Sequence, residues 1–133
     1  MKNTALRLAG GLALLTALYH GYEGDRILGT LVIDPAEQTD FVWSTYQIGT
    51  MGWLAGGVLL LAAAGFRSQQ ARSWVVFTYA VLFGFPAVGA VVLGGGNPGL
   101  GGGALLCVTL LALYGRHAPS PGAPEPALPA AHG

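Results

Sequence analysis

A chain of 133 residues in which only 9% are charged cannot clothe a water-facing surface, because a soluble domain carries about a quarter charged residues. More than half of the chain (53%) is hydrophobic, so its natural solvent is a bilayer. The formal net charge of zero argues against a nucleic-acid partner held by phosphate neutralisation. The single cysteine, Cys107, excludes an internal disulfide and speaks against a cysteine-based metal site.

A hydrocarbon core of ~30 Å takes about 20 mostly apolar residues to cross as a helix. The first span is read as residues 4–22, "TALRLAGGLALLTALYHGY". Its leader "MKNTALR" resembles the start of a signal peptide, but no A-x-A-like cleavage site follows, and an uncleaved anchor is expected. The stretch "ILGTLVI" from Ile27 to Ile33 is apolar but too short to cross; it lies on the outer surface or tucks between helix ends. The second span is residues 41–65 and the third residues 73–93. The fourth, residues 99–114, is short enough to need flanking glycines or a locally thinned bilayer.

The link "GGGNPGLGGG" (residues 94–103) is uncharged and reads as a flexible turn. It lacks the lysine and Ser/Thr of a phosphate-binding loop. The tail of residues 117–133, "HAPSPGAPEPALPAAHG", has too few apolar anchors to fold and is expected to be a disordered cytoplasmic extension. The expected architecture is an all-α, four-helix transmembrane bundle over residues 1–116.

Lys2, Arg7, Arg67, Arg72 and Arg116 fall on one side of such a bundle, with Arg67 and Arg72 in the link between spans two and three. The outer loop holds Arg26 against Glu23, Asp25, Asp34, Glu37 and Asp40. The positive-inside rule places both termini in the cytoplasm of a bacterial inner membrane. Tyr19, Tyr22, Trp43 and Tyr46 near the outer edge, with Trp74 and Tyr114 near the inner one, match the aromatic belts of membrane interfaces.

Leucine does little to hold helices together in lipid, so close backbone approach has to. Gly52 with Gly56, Ala80 with Gly84, and Gly99 with Gly103 have small-xxx-small spacing, and Gly10 and Gly11 lie in span one. These faces serve internal packing, a homodimer or a membrane-protein partner. Pro86 removes a helical hydrogen bond and is expected to kink span three, as a hinge or as an ordinary packing kink.

The deep parts of the spans hold no ionisable residue, which counts against an ion-coupled transporter or proton pump. Polar groups gather instead near the outer rim. Thr16, His20 and Glu23 share a helical face, as do Asp40, Trp43 and Gln47, with Tyr46 and Thr50 adjacent. An antiparallel pairing of spans one and two would bring these faces together. The candidate ligand-binding residues are therefore His20, Glu23, Trp43, Tyr46 and Gln47. A metal would need three or four ligands, and His20 with Glu23 supplies two. His20 as an acid or base, or at a quinone or haem edge, is a further reading, although no second membrane histidine is present for a bis-histidine haem. The plain alternative is an interfacial histidine bonded to a carboxylate or water. No catalytic residue, metal or cofactor is expected.

The run "ALYHGYEGDRIL" followed after a loop by "VWSTYQIGTMGWLAGGVLLLAA" resembles small bacterial four-span membrane proteins of uncharacterised function, loosely the DoxX-like group. The matching positions are His20, Gly24, Trp43 and Tyr46, within a likeness covering roughly residues 5–115. A second histidine expected near the start of helix two is replaced by Gln47, which weakens any metal or redox role. The resemblance implies a fold and a membrane address, and hardly any activity. The expected function is a non-enzymatic accessory subunit, or a binder of a small apolar ligand. A redox or quinone-linked component using His20, and a small transporter, are the alternatives.

Overall fold

The computed structural model describes residues 2–30 and 37–117, and among these it holds four α-helices and no strand. They are α1 (Lys2–Leu28), α2 (Glu37–Ala63), α3 (Gln69–Leu93) and α4 (Gly99–Gly115). They form an up-and-down bundle in which α1 packs on α2 and α4, α3 packs on α4, and α2 meets α3 along a thinner seam. By length and composition two helices are apolar enough to cross a membrane, Gln38–Ala63 and Gln69–Leu93, with mean hydropathies of 1.3 and 2.1. The apolar α4 is shorter, and α1 does not reach the same apolar threshold. Within the "ILGTLVI" stretch, Ile27 and Leu28 close α1; residues 31–36 and the tail from 118 lie outside the described residues.

The bundle is held by small residues. Ala5, Ala9, Ala13 and Ala17 recur every fourth residue on α1 and are all buried, a stripe on one helical face that lets neighbours approach. Opposite them stand Leu60, Val76, Phe83, Leu105 and Val108. α1 and α2 come closest at Gly10 and Gly57. A Cβ at Gly10 would stand 2.8 Å from the Gly57 carbonyl oxygen, and one at Gly57 would stand 3.1 Å from that of Gly10. The spaced pairs read from the sequence behave differently. Gly56 lies under Tyr79 and Phe83, whereas Gly52, Gly99 and Gly103 face open space.

The turn between α3 and α4 is tighter than the glycine-rich sequence suggests. It is confined to residues 94–98, and Gly99–Gly103 are already helical. The Gly94 N–H donates to the Ala90 oxygen at 2.9 Å, and the Asn97 side-chain oxygen accepts from the Gly99 N–H at 3.0 Å. These bonds close the chain and launch α4. α3 runs unbroken through Pro86.

Arg72 is the main departure from the sequence reading, which left it in the link between spans two and three. α3 starts earlier, with Ser68 accepting from the Ala71 N–H as its cap, so Arg72 falls in the first turn and is fully buried. Its guanidinium donates to the carbonyls of Ala63 (3.0 Å) and Phe66 (2.6 Å) and to Gln69 Oε1 (3.4 Å). Ala63 is the last residue of α2 and its carbonyl also accepts from the Phe66 N–H at 3.2 Å, so Arg72 clasps the link that leaves the helix. At the same end Gln69 donates to the Arg116 carbonyl and Arg116 Nε donates to Ser73 Oγ, tying α4 to α3.

Candidate functional site

The end of the bundle opposite Arg72 carries the polar cluster. Every helix contributes to a cavity of about 260 Å³ there. Thr16, His20 and Glu23 of α1 form one wall, and Tyr46 and Trp53 of α2 the next. Pro86 of α3 and the glycines Gly101 and Gly102 of α4 complete it. The cavity surface is mostly apolar carbon.

His20 is held on three sides. Its ring stacks on Tyr46 with centroids 4.0 Å apart and planes 3° from parallel, and Trp53 closes the other direction at 4.4 Å, tilted by 53°. Its Nδ1 lies 2.9 Å from Thr50 Oγ1. Tyr46 in turn donates its hydroxyl to the His20 carbonyl at 2.8 Å. The stack is possible because Gly24, one turn beyond His20, has no side chain; a Cβ there would collide with the Tyr46 ring.

Thr50 Oγ1 also lies 3.2 Å from the Tyr46 carbonyl, so its one hydroxyl hydrogen serves either that carbonyl or His20 Nδ1 according to the histidine tautomer. The other ring nitrogen of His20, Nε2, makes no hydrogen bond among the described residues. Thr50 is 6% exposed. It tethers the imidazole.

Glu23 stands at the cavity mouth in an ion pair with Arg26, 2.6 Å away. That bond and the charge behind it hold the exposed Arg26 guanidinium above its ordinary pKa. Trp43 does not reach the cavity: its indole N–H donates to Asp25 Oδ1 at 2.7 Å, linking the far ends of α1 and α2. Gln47 is rotated away from the cavity, with its side-chain oxygen beside Gly21. Of the five residues proposed from sequence, His20, Glu23 and Tyr46 line one cavity and Trp43 and Gln47 do not. Thr50 was read only as a neighbour of the cluster. Trp53 was missed; its only signal was being seven residues, two turns, beyond Tyr46 on the same face. Among the described residues no three His, Cys, Asp or Glu side chains come together as a metal would require.

Comparison with known proteins gives no match to a family model, to a curated protein or to a solved structure.

Proposed function

We propose that this chain is an integral membrane protein of the bacterial inner membrane that binds a small, flat, largely apolar ligand between its helices, as a non-enzymatic accessory or binding component. The observation carrying the binding role is the His20 constellation: an imidazole, braced by Tyr46, Trp53 and Thr50, that lines an apolar cavity with no hydrogen bond at its Nε2 among the described residues. A cavity of about 150 Å³ accepts benzene, so about 260 Å³ suits a one- or two-ring molecule. A hydroxyl on that molecule, which can donate or accept, would satisfy Nε2, and aromatic walls favour a ring.

The membrane address is supported by where the large apolar side chains point. Phe85, Leu93 and Leu100 are 83%, 90% and 79% exposed, and only 22% of the most apolar stretch of α3 is buried. A water-soluble bundle turns such residues inward; helices apolar all round belong in lipid or in a large core. The 25 residues of α3 would extend roughly 37 Å at 1.5 Å per residue, enough for the hydrocarbon core. The end carrying Lys2, Arg67 and Arg116 then faces the cytoplasm.

The test is purification in mild detergent, small-molecule mass spectrometry of the extract, and titration of Trp53 fluorescence with an alkylphenol. The expected result is a bound aromatic near one per chain and saturable quenching, both lost in His20→Ala with the fold kept. No retained molecule and no saturable quenching would sink the binding role. Recovery of the chain from the soluble fraction would sink the membrane address.

A further inference from the structure

A second groove, of about 620 Å³, opens at the opposite end of the bundle and involves none of the His20 residues. Its upper rim is polar: Gln69, Gln70, Ser73, Arg116 and His117. Below it, toward the middle of α3, lie Trp74 and Phe77, both exposed. Val81, Phe85, Val88 and Val92 continue that apolar path along α3, all with large exposed surfaces. The Arg116 Nε–Ser73 Oγ bond of 2.6 Å and the Gln69–Arg116 carbonyl bond of 2.7 Å fix the guanidinium at the rim. Its two terminal nitrogens make no hydrogen bond among the described residues. Lys2, Arg7, Arg67 and Arg72 lie at this same end, and no Asp or Glu among the described residues joins them.

We infer that this groove is a binding site for a phospholipid with a net-negative headgroup. The inference rests on the membrane reading above but not on the His20 ligand. The charge is complementary to a phosphate, and guanidinium nitrogens held at one edge suit its paired oxygens. The depth profile fits a lipid and no soluble anion: a cation at the rim, an indole at headgroup level, then an uninterrupted apolar path for an acyl chain. A zwitterionic lipid of the same chain length would fill the apolar part equally but gain less from Arg116.

Native mass spectrometry of the full chain from mixed micelles tests this, with phosphatidylglycerol and phosphatidylcholine of identical chains as probes. One cation at a membrane surface contributes about 1 kcal/mol, which corresponds to a preference of about fivefold for the anionic lipid. That preference is expected in the wild type, kept in Arg116→Lys and in the opposite-end control Arg26→Gln, and reduced to near unity in Arg116→Gln. Trp74→Ala is expected to weaken both lipids alike. Equal wild-type affinities, or a preference untouched by Arg116→Gln in a chain that keeps its melting temperature, would overturn the proposal. Dimers that exclude lipid would place a second copy on this face and overturn it as well. Failure of the chain to enter micelles at all would remove the membrane reading together with this one, which separates the two failures.

Discussion

His20 and Tyr46 secure each other reciprocally across the α1–α2 interface. The tyrosine hydroxyl donates to the histidine carbonyl, and the histidine ring, through Thr50, reaches the tyrosine carbonyl. Their stacked rings are thus fixed at both ends. Tyr46→Phe should keep the stack and lose one bond, lowering unfolding free energy by about 1 kcal/mol. Alkylphenol affinity should fall less than in His20→Ala, because Nε2 stays in place. Detergent unfolding and fluorescence titration of the two variants measure this; a Tyr46→Phe protein that loses binding as completely as His20→Ala would contradict the division of roles.

Gly24 provides the floor for the Tyr46 ring. A methyl group there displaces the ring, so Gly24→Ala should cost about 1–3 kcal/mol by overpacking, despite the better helix propensity of alanine. Combining it with Tyr46→Ala removes the clash, so the double variant should lose less than the sum of the two single ones. Additive losses would mean that the ring and the glycine do not meet.

Much of the fold was legible because long apolar runs and their breaks are coarse signals. Residues 64–68 and 94–98 interrupt the helices close to where the sequence places them. The rotation of each helix was harder to read. α2, α3 and α4 are apolar almost all round, so no amphipathic stripe tells which face turns inward. Gln47 follows Tyr46 by one residue, which is about 100° around a helix, and this step takes it out of the cavity. Trp53 was invisible for the opposite reason: an apolar ring within an apolar run carries no local mark. The glycines of α4 read as a turn, and only the bundle shows that Gly101 and Gly102 open space beside His20.

Two adjacent glycines give a sharp test of the α1–α2 packing. Gly10 faces the Gly57 backbone, while a Cβ at Gly11 would meet nothing within 4 Å. Gly10→Ala should therefore cost about 1–3 kcal/mol, and Gly11→Ala should be neutral or gain up to about 1 kcal/mol from helix propensity. The two melting temperatures in one detergent decide it. Equal shifts of the same sign would contradict the Gly10–Gly57 approach.

Arg67 and Arg72 share the α2–α3 connection and the same charge, yet Arg67 is exposed and Arg72 is fully buried. If their role were only to bias orientation in a membrane, Gln at either position would act alike. The hydrogen bonds of Arg72 predict otherwise. A bond involving a charged donor contributes about 1.5–3 kcal/mol, and Arg72 makes two with backbone carbonyls, Ala63 at the end of α2 and Phe66 in the link after it. Arg72→Gln should then destabilise the bundle by about 3 kcal/mol or more, while Arg67→Gln changes little. Arg72→Lys should recover only part of the loss, since one ammonium on a flexible stem does not span the carbonyls of Ala63 and Phe66 as a guanidinium does. Unfolding titrations of the three variants, with limited proteolysis at the connection as a second readout, measure the difference. Equal stability of the Arg67 and Arg72 variants would show that Arg72 does not hold the end of α2.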